Sequence, residues 1–134
     1  MNKKVASGMT PGSHGSTFGG NPLAMSIGNA VLDIVLKKGF LSNVQKIAKY
    51  LHAELSKLQR EFPKVIKEVR GQGLLVGLQM QKDQTKFIKK LMDNRLLTIK
   101  AGENVIRLLP PLTVNKKEID QAVTILKKVC KTYK

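Results

Sequence analysis

Cysteine is nearly absent from this chain. Cys130 stands alone, which excludes an internal disulfide and suits a reducing compartment. It falls beside Leu126 and Val129 on an apolar helical stripe and reads as a small buried hydrophobe, not a nucleophile. Tryptophan is missing. The aromatics that remain (Phe18, Phe40, Phe62, Phe87, Tyr50 and Tyr133) fall at helix or loop positions, which argues against a base-stacking platform. No apolar run approaches the roughly 18 residues that a membrane span requires. Met1-Asn2-Lys3-Lys4 is not followed by the apolar core of a secretory signal, so the expected setting is soluble and cytoplasmic.

Acidic residues are also scarce: 9 against 24 basic ones, for a formal net charge of +15. Such a balance ordinarily raises nucleic acid or an anionic surface as a partner. Arginine, the residue suited to two-point contact with guanine or phosphate, is the rare cation here, at Arg60, Arg70, Arg95 and Arg107. Lysine is spread through every expected helix instead of massing on one stripe, so the charge is read as solvated surface and no nucleic-acid partner is expected. At 134 residues the chain has room for one modest core.

The most informative stretch present is Gly12-Ser13-His14-Gly15-Ser16-Thr17-Phe18-Gly19-Gly20, which ends at Asn21-Pro22. Asn-Pro is a helix start: the Asn side chain accepts from a first-turn amide, and Pro gives up an N–H that had no partner. Glycines let backbone approach an anion, hydroxyls donate to it, and a helix N-terminus adds partial positive charge. From chemistry alone the loop is either a phosphate cradle or a glycine-serine loop leading into a capped helix. It is not a P-loop, since no Gly-Lys-Ser/Thr follows, and its glycine spacing does not match a dinucleotide fingerprint.

Apolar residues Leu23, Ala24, Ile27, Ala30, Val31, Ile34 and Val35 recur at helical spacing and predict a helix over 22–37, stopped by Lys37-Lys38-Gly39. A second helix is predicted over 41–61, closed by Phe62-Pro63, with His52 off its apolar stripe and at the surface. The period then changes. Strands are predicted over 65–70 and 74–80 around a Gly71-Gln72-Gly73 turn, a helix over 83–94, and short strands over 96–99 and 104–108. Asn115 with Glu118 forms a capping box for a last helix through Tyr133. That order gives an α+β fold, with helices covering one face of a small, mostly antiparallel sheet. Residues 1–38 differ in kind from 39–134, because the first helix is unusually apolar for something covered only by its neighbours.

Arg107 is the second informative residue. A guanidinium stays charged and is costly to bury alone, so it pairs with an internal carboxylate, waits for one on a substrate, or reaches water from a strand end. Val105 and Leu109 share its face of the strand; Ile106 and Leu108 take the other.

Three ordered segments resemble the class-III, fold-type-I aminotransferases that use pyridoxal phosphate: Met9-Thr10-Pro11-Gly12 through Leu23-Ala24, Val69-Arg70-Gly71-Gln72-Gly73-Leu74-Leu75, and Val105-Ile106-Arg107-Leu108-Leu109-Pro110-Pro111-Leu112. The likeness spans essentially the whole chain but only the last third of such an enzyme, and within the class it is strongest to the acetylornithine aminotransferases, then the ornithine ones. It implies that 39–134 is like the small C-terminal domain and that 1–38 is a loop and helix from the edge of the large cofactor domain. It further implies that Thr17, with Ser16, binds the phosphate of a pyridoxal 5'-phosphate held mainly by the other subunit of a dimer, and that Arg107 holds a substrate carboxylate by a two-point contact. His14 and Asn21 are read as structural, and Arg70 as making a turn or interface salt bridge. The implied reaction passes the terminal amino group of acetylornithine to 2-oxoglutarate by way of the cofactor, as a step of arginine biosynthesis. None of the 20 lysines has the context of the Schiff-base lysine, which is expected upstream. No catalytic residue and no metal ligand is therefore assigned, and the chain is expected to be inactive without a lysine-bearing portion. The alternatives are a basic, non-catalytic binding module or a decayed gene remnant.

Overall fold

The computed structural model describes residues 2–10 and 12–133, and it divides into two compact units, Met1–Lys38 and Gly39–Lys134. The first unit holds a single-turn helix α1 (Lys3–Ala6), the glycine loop and α2 (Pro22–Val35). Helix α1 has no counterpart in the sequence reading; Asn2 starts it by accepting from Val5 N at 2.9 Å. Helix α2 begins as its sequence dictates, with the Asn21 side chain accepting from Ala24 N and Pro22 in the first turn. It ends earlier than predicted, at Val35 with Leu36 as cap. Gly39 does take a left-handed φ of 92°, but as the N-cap of the next helix. No residue of α2 is buried, although Leu23, Ile27, Val31 and Ile34 lie on it.

The second unit runs α3 (Phe40–Glu61), β1 (Ile66–Gln72), β2 (Leu75–Met80), α4 (Gln84–Asp93), β3 (Ile99–Ala101), β4 (Val105–Leu108) and α5 (Lys116–Thr132). Its four strands form a wholly antiparallel sheet in the order β1-β2-β4-β3. Strand β2 alternates strictly: Val76, Leu78 and Met80 point inward, while Leu75, Gly77 and Gln79 take the other face. The inward set joins Ile66, Ile106 and Leu108 with Leu51, Leu55 and Leu58 of α3, Phe87 and Leu91 of α4, and Ile119, Leu126, Val129 and Cys130 of α5 in one core. Within this unit, helices therefore cover one face of the sheet and not the other. Phe87 and Tyr133 close the core edge to face, with ring centroids 5.1 Å apart.

Three local devices fix this arrangement. The capping box is present in full: Asn115 accepts from Glu118 N at 3.1 Å, and Glu118 accepts from Asn115 N at 2.9 Å. At the end of α4, Arg95 takes φ 64°, its N–H bonds Met92 O, and Leu96 N–H bonds Leu91 O, a Schellman motif with arginine where glycine is usual. That motif consumes Arg95 and Leu96, so β3 starts at Ile99, three residues after the start of the predicted strand over 96–99, and runs to Ala101. Gly71 has φ 122°, and a Cβ there would meet Leu75 O at 2.2 Å, so only glycine fits this turn.

Candidate functional site

In the first unit Gly12 (φ 84°) and Gly20 (φ 74°) bracket the loop, conformations that suit glycine. The loop is internally braced: Ser13 Oγ donates to Thr10 O at 2.7 Å, Gly19 N–H bonds Ser16 O, and Asn21 Nδ2 donates to Phe18 O at 2.6 Å. Ser16 and Thr17 are exposed, and among the described residues neither hydroxyl has a hydrogen-bond partner. A Cβ on Gly19 would lie 3.0 Å from Ser16 Cβ, so the bare glycine keeps the space over Ser16 clear.

The helix itself offers an anion little. Pro22 has no N–H, Ala24 N is taken by Asn21 Oδ1, and Met25 N by Asn21 O, which leaves Leu23 N in the first turn. Any anion here would be held by the two hydroxyls and loop amides more than by the helix end. The surroundings suit one: residues 1–32 contain no Asp or Glu. By donor chemistry the loop fits a phosphate group such as that of pyridoxal phosphate.

In the second unit the strand register builds a row across the sheet face opposite the core. Arg70 pairs with Gly77, Gly77 with Arg107, and Arg107 with Ile99. Directly paired residues of antiparallel strands present their side chains on the same face, so two arginines flank a glycine. Strands lie about 4.8 Å apart, which puts the two arginine Cα atoms roughly 10 Å apart with a gap between them. That gap opens into a shallow cavity of about 240 Å³ lined by Arg70, Gly71, Gly77, Gly102, Val105 and Arg107.

The two arginines differ. Arg70 donates from Nη2 to Glu103 Oε2 at 2.8 Å, the salt bridge that the sequence left between turn and interface. Arg107 is exposed and makes no ion pair among the described residues. The Arg70–Glu103 pair is half exposed, so it contributes only about 0.2–1 kcal/mol. Glu103 nevertheless occupies φ 55°, with Asn104 beside it at 61°, a region that costs an ordinary residue about 1–2 kcal/mol. Asn104 anchors that turn by accepting from Gln84 N at 2.9 Å and donating to Met80 O at 3.0 Å.

His52 is a correction. It is half-buried, and its Nε2 donates to Gly73 O at 3.0 Å, tying α3 to the β1–β2 turn. Gly77 and Glu103 were not singled out from the sequence. The alternation of β2 puts Gly77 opposite the core residues, but its place between two arginines follows only from the register. Ser16 and Thr17 belong to one compact unit and Arg107 to the other. Among the described residues no cluster of His, Cys, Asp and Glu could hold a metal ion, and no helix is long and apolar enough to cross a membrane.

The family model described as aminotransferase class-III matches residues 1–130. The chain belongs to the class-III aminotransferase family. It is 52% identical over 120 residues to an acetylornithine aminotransferase of Mesorhizobium japonicum, covering 90% of this chain and 30% of that one. It is 41% identical over 128 residues to a mitochondrial acetylornithine aminotransferase of Yarrowia lipolytica, covering 96% and 31%. Among solved structures it is similar to an ornithine aminotransferase of Plasmodium yoelii, with TM-score 0.83, 31% identity, and coverage of 99% of this chain and 36% of that one. An acetylornithine aminotransferase from Elizabethkingia anophelis gives TM-score 0.80 at 31% identity, with 98% and 36% covered. The chain thus spans about a third of the length of the class-III relatives it matches.

Proposed function

We propose that this chain is the C-terminal portion of an acetylornithine-type aminotransferase, contributing a phosphate loop and a carboxylate clamp to amino transfer onto 2-oxoglutarate in arginine biosynthesis in the cytoplasm. The observation that carries this reading is Arg107: an exposed guanidinium with no ion pair among the described residues, lining a cavity on the sheet face opposite the core. A guanidinium holds a carboxylate through two parallel N–H···O bonds, which fixes orientation as well as charge. Thr17 and Ser16 would hold the phosphate of pyridoxal 5'-phosphate, with the remaining cofactor contacts made by a large domain and by the partner subunit of a dimer. When bound, that cofactor supplies the electron sink for amino transfer. Support for the substrate class comes from relatives named acetylornithine aminotransferase at 41% to 52% identity.

On this reading the 134 residues do not transaminate until a lysine-bearing portion is supplied. The test is glutamate formation from acetylornithine and 2-oxoglutarate, first with the chain alone and then with the preceding portion of the enzyme added or fused. Activity only in the second case is the expected result. Turnover by the chain alone, or none in either case, contradicts the proposal.

A further inference from the structure

Arg70, which lines the cavity together with Arg107, is paired with Glu103. We propose that Glu103 makes this cavity a site for one carboxylate, by withholding Arg70 from the ligand. The proposal rests on the reading of Arg107 as a carboxylate clamp and specifies what that clamp selects.

Two guanidiniums facing each other across a glycine would otherwise form a site for a dianion. Glu103 prevents this: its Oε2 accepts from Arg70 Nη2 at 2.8 Å, so the pair is neutral and Arg70 is already engaged.

The position of Glu103 is held, not incidental. Its backbone carbonyl accepts from Gln79 Nε2 at 3.3 Å, and Asn104 beside it is bonded to Met80 O and Gln84 N. Glutamate is kept in the left-handed region at φ 55°, where glycine or asparagine is usual. A ligand bound at Arg107 therefore presents one carboxylate there and an uncharged or cationic remainder toward Arg70. A dicarboxylic acid must direct its second carboxylate elsewhere.

The test uses the full 134-residue chain and two saturated acids, butyrate and glutarate, titrated at constant ionic strength and read from the Gly77 amide and the Arg107 Nε–H by NMR. In the parent, glutarate should bind within about twofold of butyrate. E103Q should raise the glutarate-to-butyrate affinity ratio about tenfold, because freeing Arg70 adds a charge-assisted bond for the second carboxylate. Adding R70Q to E103Q should return the ratio to the parent value. A ratio unchanged by E103Q, in a variant whose amide spectrum is otherwise that of the parent, overturns the proposal. The Arg107 reading fails separately: R107Q should abolish butyrate binding, and butyrate binding equally well to R107Q, or not at all to the parent, contradicts the clamp itself.

Discussion

Gly77 stands in register between Arg70 and Arg107, and a Cβ added to it would lie 2.9 Å from Val105 Cγ1. The glycine thus admits the side chains of Val105 and Arg70, whose Cγ would lie 3.5 Å from the same Cβ. Gly77→Ala should cost about 1–2 kcal/mol by overpacking, because β-branched Val105 has little rotamer freedom with which to retreat. For a unit of this size that is a fall in Tm of roughly 4–16 °C, measurable by calorimetry.

Gly71→Ala should be worse. A φ of 122° is unsuited to a residue with a Cβ, and the added atom would meet backbone, Leu75 O, at 2.2 Å. We expect a loss of about 3 kcal/mol, seen as a lower urea midpoint with an unchanged m-value.

The buried thiol of Cys130 is pushed up to about 12 from its usual 9, first by burial and then by the charge of Glu61. Between those two values the unfolded chain has lost a proton that the folded chain keeps, so stability must fall as pH rises above about 9. Cys130→Ala should flatten that slope. Urea midpoints measured at several pH values from 8 to 11 for parent and variant check this. Equal slopes would remove Cys130 as the cause.

Much of the second unit was legible because its signals are local. The strict alternation of Val76, Leu78 and Met80, the Asn115–Glu118 box, and the Asp83 cap of α4, which accepts from Thr85 N, each act within a few residues. The start of β3 was not legible, since the left-handed turn that follows α4 falls on Arg95, where glycine is the usual signal. The candidate site divides the same way. Arg107, Thr17 and Ser16 stand out through residue type and resemblance. The Arg70–Glu103 pair joins positions 33 residues apart, and only sheet register brings them together.

In an enzyme formed with the proposed lysine-bearing portion, Thr17→Ala should weaken retention of pyridoxal phosphate without lowering thermal stability. The hydroxyl is exposed and touches no core, whereas one bond to a charged phosphate is worth about 1.5–3 kcal/mol. Cofactor affinity by equilibrium dialysis should fall about tenfold or more, and parent-like affinity would exclude Thr17 from the site.

The decisive measurement is the Michaelis constant of the same enzyme carrying Arg107→Lys. Lysine keeps the positive charge and loses the planar two-point contact, so the substitution separates geometry from electrostatics. KM for the carboxylate substrates should rise about tenfold or more while Tm stays that of the parent, since Arg107 makes no internal ion pair among the described residues. An unchanged KM with a lowered Tm would give Arg107 a structural role and contradict the account.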